Sequence, residues 1–479
     1  MNKILFIESW NCTPHLETSF ELAKKHLDLG DEVFFHFIGQ DLPYKECLPY
    51  QREDVILNKF LPENIGASIL KHPRFKYFSK HKFFKTKINR NLLFKDIYEL
   101  KKFRYKNCES GLAVASSLIS LLRDSSPDLK KNSFLISTML QSSSIVYDLT
   151  IDLLDKYKPD LVYIFNGRLC NYRPVLNACQ ETKTPFLIHE RGANAFHYSI
   201  RPFMPHHLRK VEEEMNTIWL NAIDRKHSIE LAKLFFEDRR KGVEQSWLSF
   251  SKNQESGNIP NLPKNKKIVT FFTSSEDEYA AVGDIVRWPN WPNQKSALMT
   301  VIRHCRNHES FQLVLRIHPH TKMKSDSEQA YWRNFKSFPD LIFVDANDKT
   351  DTYALIEKSD VVITVGSTVG IESVFWGTPS VCMGPSLYES LGAVYLPKND
   401  NELCDLLLRD DLKVYPDRAL PYGYHKMVFG EKYMYYSPEN LFKGKFMGFY
   451  LNKCALFYST NRFKKFFSLN YYRNFFSHV

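Results

Sequence analysis

Three short polar sets close three apolar runs in the C-terminal half of this 479-residue sequence: Ser274-Ser275-Glu276, Arg316-Ile-His318-Pro319-His320 and Gly366-Ser367-Thr368. Hydroxyls, imidazoles and a guanidinium together suit a phosphate, because they donate hydrogen bonds and supply positive charge. A helix opening at Thr368 or Val369 would add free N–H groups and about half a positive charge. Gly366 would let a diphosphate approach the backbone. Glu372, one turn further on, only accepts hydrogen bonds, which suits a ribose diol and not a phosphate. Ordinary helix capping and turn formation explain each set singly. Three in succession at the ends of apolar runs point to one nucleotide site. Glu276-Asp277-Glu278 has the look of a metal loop, but the chain contains no Asp-x-Asp element and acidic loops are usually solvated, so no metal and no cofactor are expected.

The N-terminal half has two comparable sets, Asn166-Gly-Arg168 after YIF and Glu190-Arg191-Gly192 after FLIH. Glu190 is the candidate general base, since a carboxylate at a sheet edge can take the proton of a sugar hydroxyl. The competing reading is a Glu190–Arg191 surface pair or a salt bridge to Arg168. Asn166, Arg168 and His15 are candidates for the acceptor side, although a histidine at the position of His15 also reads as a helix-surface residue.

Alternating strands and helices must position these groups. KILFIE reads as a strand, Thr13 as the N-cap of a helix with Pro14 at its first position, and EVFFHFIG as the next strand. The βαβ start predicts a parallel sheet with helices on its faces. The expected organisation is an N-terminal Rossmann-like domain over 1–250 carrying a basic insertion at 71–106, and a linker at 251–267 rich in Asn, Pro, Ser and Lys. A second Rossmann-like domain over 268–415 and a helical basic and aromatic tail over 416–479 complete it. Two doubly wound α/β domains of this kind hold ligands in a cleft between them, at the carboxyl ends of strands.

With 43% hydrophobic and 25% charged residues, the composition is that of a globular protein. Nine scattered cysteines without a CxxC pair fit a reducing compartment and argue against structural zinc. The apolar start is too short for a signal peptide, and no run approaches the roughly 20 residues of a membrane span. The net charge of +11 is local: residues 71–106 hold thirteen Lys/Arg against Asp96 and Glu99, and residues 443–479 hold seven against no acid. The remainder is net negative. Thirteen Phe/Tyr over 442–476 interleave with those cations. Such a mixture suits an anionic membrane surface. RNA would use the same ingredients, but no nucleic-acid module is recognisable, so no nucleic acid is expected; the aromatics could instead pack back on the first domain.

GSTVGIESVFWGTPSV resembles the nucleotide-binding turn and helix of GT-B fold glycosyltransferases of bacterial capsule and lipopolysaccharide biosynthesis. RIHPH resembles the His-Pro motif of sialyl- and Kdo-transferase-like enzymes, Ser367-Thr368 their Ser/Thr motif, and Glu190-Arg191-Gly192 their acidic-x-Gly motif. The resemblance implies that the acidic residue serves as base. It also implies that His318 and the Ser/Thr pair hold the donor phosphate, with Glu372 in the place of the ribose-binding acid. The E-R-G sequence departs from family members with a second acid.

The expected activity is transfer of a sugar from a nucleotide-activated donor, CMP-linked by preference, to a surface polysaccharide or a lipid-linked glycan. The expected location is cytoplasmic, peripheral to the inner face of the cell membrane. The alternatives are a nucleotide-sugar epimerase or hydrolase on the same fold, and a non-enzymatic peripheral protein of capsule assembly.

Overall fold

The computed structural model describes residues 1–46, 62–81, 92–245, 249, 251–286 and 290–451. Two compact units emerge, one formed by 1–122, 126–204 and 430–479, the other by 123–125 and 205–429.

The first unit is built on a seven-stranded sheet. Its strands are β1 (Lys3–Glu8), β2 (Glu32–Phe37), β3 (Phe75–Phe78), β4 (Leu161–Phe165), β5 (Phe186–Arg191) and β6 (His197–Arg201), and it is completed by the returning strand Glu431–Lys432. The order across the sheet is β3-β2-β1-β4-β5-β6 and then that strand, parallel as far as β5 and antiparallel beyond. β1 and β4 are buried over almost their whole length, as near-continuous apolar runs in a two-faced parallel sheet must be. One face packs Leu5, Ile7, Val162 and Ile164 with the helices Ser133–Tyr157 and Arg173–Thr182. The other packs Phe6, Phe20, Phe35 and Tyr163 with the helix His15–Asp28.

The second unit has a five-stranded parallel sheet: β7 (Lys267–Phe272), β8 (Phe311–Arg316), β9 (Leu341–Val344), β10 (Val361–Thr364) and β11 (Ser380–Cys382). The order is β11-β10-β7-β8-β9. The α/β class and the pair of doubly wound units thus agree with expectation.

The boundaries do not. The first unit ends at Met204 and not at 250, because the helices Leu208–Leu220 and Arg225–Lys241 bury Met215, Phe235 and Phe236 against Ile371, Val374 and Tyr422 of the second unit. The helix Leu420–Val428 crosses them so closely that a Cβ on Gly423 would lie 2.5 Å from the Ala232 carbonyl oxygen. The described part of the expected helical tail, 416–451, is helical only as far as Val428, and from Glu431 the chain returns to the first unit as strands, Tyr436–Asn440 pairing with Lys443–Phe446. Nor is 71–106 simply an insertion, for β3 forms the sheet edge and Asp96 caps the short helix Ile97–Lys102. Pro14, not Thr13, stands at the N-cap of the first helix, and the Thr13 hydroxyl donates to Glu17 Oε1 at 2.8 Å. The rest of the two basic segments, 82–91 and 452–479, lies outside the described residues.

One buried carboxylate gathers the start of the returning segment. Glu21, fully buried in the helix His15–Asp28, accepts the backbone N–H groups of Met434 at 2.7 Å, Tyr435 at 2.8 Å and Tyr436 at 2.9 Å. Glu21→Ala is expected to cost roughly 2–4 kcal/mol, because hydrogen bonds to a charged group are the stronger kind and the N–H groups lose their acceptor. Thermal unfolding and limited proteolysis check this. Unchanged melting and unchanged protease resistance after residue 430 would show that other contacts hold the segment.

Candidate functional site

β10, β7 and β8 are neighbours in one parallel sheet, so their carboxyl ends and the three polar sets lie on one edge. Around the His-Pro turn the groups are tightly ordered. The Thr273 hydroxyl accepts the His318 N–H at 2.7 Å, and His318 Nδ1 accepts the His320 N–H at 3.1 Å. An Nδ1 that accepts leaves the ring proton on Nε2, so His318 is an N–H donor through that atom. Burial, then the charges of His320, Lys324 and Arg316, push its pKa down to about 3, which keeps the ring neutral near pH 7. His320 lies between Ser275 Oγ, 3.2 Å from Nδ1, and Arg123 Nη1, 3.3 Å from Nε2. Its pKa is lowered to about 4 by burial and then by Arg123. Pro319 opens the turn Pro319–Met323 with His318 as its cap.

Several expected ligands are instead committed to the protein. Arg316 is 2% exposed, and its guanidinium donates to the carbonyl oxygens of Asp345 and, at 3.3 Å, Asp348. It ties β8 to the loop after β9 and is withdrawn from the phosphate role. Glu372 is 1% exposed. It accepts from Tyr353 Oη at 2.5 Å and pairs with Arg239 at 3.4 Å, so it anchors the helix Arg225–Lys241 and does not present an open acceptor for a ribose. Gly366 is required internally: its φ is +74°, and a Cβ there would meet the Pro385 carbonyl oxygen at 2.2 Å. The Ser274 hydroxyl donates to the Val365 carbonyl at 2.9 Å, which ties β7 to β10, and Gln294 Oε1 accepts the Ser274 N–H at 2.5 Å.

Ser367 and Thr368 precede the seven-residue helix Val369–Phe375, and Thr368 stands at its N-cap without a capping side-chain bond. The Ser367 carbonyl accepts Tyr388 Oη at 2.5 Å. Glu276 lies on the same edge, where burial raises its pKa to about 7 and leaves the carboxyl partly protonated at neutrality. Asp277 and Lys324, 7% and 5% exposed, form a buried pair at 3.0 Å that sequence reasoning did not single out.

In the first unit β1, β4 and β5 are likewise adjacent, and their ends bring Asn166, Glu190 and His15 together. Asn166, buried at a positive φ of 57°, donates from Nδ2 to Glu190 Oε2 at 2.6 Å. The Arg191 N–H donates to Glu190 Oε1 at 3.0 Å. The carboxylate is therefore held in one orientation while its side chain remains 21% exposed. His15 is buried, its ring 4.1 Å from that of Phe165 and its Nδ1 3.7 Å from Glu190 Oε1, and that atom makes no hydrogen bond. Burial, then the charges of Arg191 and His189, hold its pKa well below the ordinary value. It is not a helix-surface histidine.

Arg168 donates to Ser116 and Ser120 at 2.7 and 3.2 Å, and the Arg191 guanidinium donates to the Leu441 carbonyl at 2.7 Å. Beneath the Glu190 carboxylate, Glu8, Ser19, Tyr172 and His189 form a buried hydrogen-bonded network. Glu17 is buried, with one carboxyl oxygen unpartnered, and burial raises its pKa to about 7. Glu17 was missed because its position in the sequence reads as an ordinary first-turn acid.

Among the described residues, no group of three or more His, Cys, Asp or Glu is placed to hold a metal ion, and no helix is long and apolar enough to cross a membrane.

The family model for capsule polysaccharide biosynthesis proteins matches residues 241–403, about a third of the chain and entirely within the second unit. This match bears out the resemblance carried by the His-Pro and Ser/Thr motifs. Comparison with curated proteins gives no match. Similar solved structures include the KpsC beta Kdo 2,4 transferase of Thermosulfurimonas dismutans, at 13% identity over 56% of this chain and 79% of that one, with a TM-score of 0.38. Another is the UDP-GlcNAc 2-epimerase of Neisseria meningitidis bound to UDP-GlcNAc, at 12% identity over 93% and 96% of the two chains, with a TM-score of 0.29.

Proposed function

We propose that the chain is a glycosyltransferase of capsule polysaccharide biosynthesis, which moves a sugar from a nucleotide-activated donor to a glycan or lipid-linked acceptor. The observation that carries this reading is the neutral His318 ring, its Nδ1 accepting the His320 N–H at the His-Pro turn, inside the stretch that matches the capsule family. A neutral imidazole N–H stabilises the phosphate charge of a leaving nucleotide without having to lose a proton.

In the reaction Glu190 takes the proton of an acceptor hydroxyl, the oxygen forms a bond to the anomeric carbon, and the bond from that carbon to the nucleotide phosphate breaks. The electron pair stays on the phosphate oxygen, where His318 donates a hydrogen bond. A CMP-linked donor such as CMP-Kdo is the preferred substrate, on the His-Pro and Ser/Thr resemblance. The cationic and aromatic runs of 71–106 and 443–479 suit an acceptor at an anionic membrane face.

Titration calorimetry with CMP, CDP, UDP and GDP is expected to show binding of one nucleotide. Product analysis is expected to show transfer only when acceptor is present, faster on vesicles containing anionic lipid than on neutral ones. Absence of nucleotide binding would overturn the reading in favour of a non-enzymatic assembly protein. Donor turnover without acceptor would overturn it in favour of an epimerase or hydrolase.

A further inference from the structure

The cations at the donor edge are nearly all neutralised by the protein. Lys324 pairs with Asp277 at 3.0 Å, Lys295 with Glu328 at 3.2 Å and Arg239 with Glu372 at 3.4 Å, while Arg316 is spent on two carbonyls. Lys322 is exposed. Arg123 is the exception among the half-buried ones. Its guanidinium donates to the neutral His320 ring at 3.3 Å, and among the described residues no carboxylate forms a hydrogen bond or close ion pair with it, Asp277 acting on it only at longer range.

Arg123 reaches this place by a special path. Residues 123–125 belong to the second unit although the chain on both sides belongs to the first. Arg123 has a φ of +55°, a conformation that costs a non-glycine residue energy and persists only where its surroundings enforce it. Its carbonyl accepts the Ser325 N–H at 3.2 Å, and Asp124 accepts the hydroxyls of Ser325 and Ser327 at 2.9 and 2.8 Å. The turn is thus fixed two residues beyond the His-Pro turn Pro319–Met323, with its charge against His320 and its neighbouring acid turned to other work.

We propose that Arg123 is the phosphate-binding cation of the donor site, with the role the sequence suggests for Arg316. The proposal rests on the nucleotide-sugar reading and deepens it: the ligand is a nucleoside phosphate, whose phosphate oxygens take the guanidinium donors that His320 leaves at the His-Pro turn. A guanidinium has five N–H donors, and a histidine contact uses one. A charge-assisted pair is expected to supply about tenfold to a hundredfold in affinity.

Calorimetry on the full chain, with wild type, Arg123→Gln and Arg123→Lys, tests this using CMP, CDP, UDP, GDP, the matching nucleosides and inorganic pyrophosphate. Arg123→Gln is expected to weaken the nucleotide that binds, and pyrophosphate, by about tenfold to a hundredfold. Nucleoside binding should be unchanged, with Arg123→Lys between the two. Wild-type affinity for nucleotide in Arg123→Gln overturns the proposal and leaves the glycosyltransferase reading standing. If the wild type binds pyrophosphate and no nucleotide, loss of pyrophosphate in Arg123→Gln sustains the anion site while the glycosyltransferase reading falls. An equal loss of nucleoside and nucleotide would mean damage to the unit and would also overturn the proposal. Should Arg123→Gln not fold, an Arg123→Lys chain with wild-type affinity for both nucleotide and pyrophosphate overturns it, and selective weakening of both supports it.

Discussion

Glu190→Gln is expected to lower sugar transfer by about a hundredfold to ten-thousandfold, the usual worth of a positioned general base, while nucleotide affinity and melting temperature stay unchanged. The carboxylate is oriented by Asn166 and by the Arg191 N–H, and it is partly open to solvent. An amide of the same shape keeps the packing and cannot take the proton. The loss therefore belongs in kcat, not in donor binding. Measuring transfer, calorimetry with the donor nucleotide and thermal unfolding on one preparation separates the two. Full activity in Glu190→Gln would remove this carboxylate from the reaction. Attention would then move to Glu17, whose buried carboxyl titrates at about 7.

Lys324→Met should have the largest effect on stability. Asp277 and Lys324 are both almost fully buried, 3.0 Å apart. Removing one partner of a buried pair leaves the other charge uncompensated, which costs about 3–5 kcal/mol. Burial alone would raise the Asp277 pKa; the charge and hydrogen bond of Lys324 outweigh it, and the net shift is downward. A carboxylate with a lowered pKa contributes stability above its unfolded value and loses it as pH falls through its folded value. In Lys324→Met that contribution vanishes, so the deficit against wild type should be greatest near neutrality and shrink on acidification, as Asp277 takes up a proton. Denaturant unfolding of Lys324→Met, Asp277→Leu and the double variant across pH checks this. The double variant is expected to recover much of the loss, since well-packed apolar pairs replace buried ion pairs at little cost. Additive losses in the double variant would show that each residue acts through separate contacts.

The reading of strands from the sequence succeeded where burial is two-sided. VYIF, LVL and VVI are apolar without alternation, and a parallel sheet covered on both faces needs that pattern. The polar residues at or just past their ends were legible for the same reason, since in such a sheet polar groups gather where the apolar run stops. Asn166, Glu190, His318 and Ser275 all fell out of that rule, and the sheet order brought them to two edges. Domain boundaries were less legible, because a linker rich in Asn and Pro marks a surface loop without saying which core its flanking helices cover. The helices at 208–241 are amphipathic in sequence, but only contact with Ile371, Val374 and Tyr422 assigns them to the second unit.

Composition and periodicity by themselves determined the α/β class, the parallel sheets, the polar strand ends and the location of the basic charge, since these depend on local spacing and on the need to bury apolar surface. The partner of each charged group was decided by the tertiary structure alone. Arg316 and Glu372 look like ligand residues in sequence, yet the fold turns one to the carbonyls of 345–348 and pairs the other with Arg239, 133 positions earlier. Arg123 carries no motif in the sequence and is brought across 197 positions to His320. A buried charge must find a partner whatever its separation along the chain. That requirement fixes which side chains the protein keeps for itself and which it leaves for a ligand.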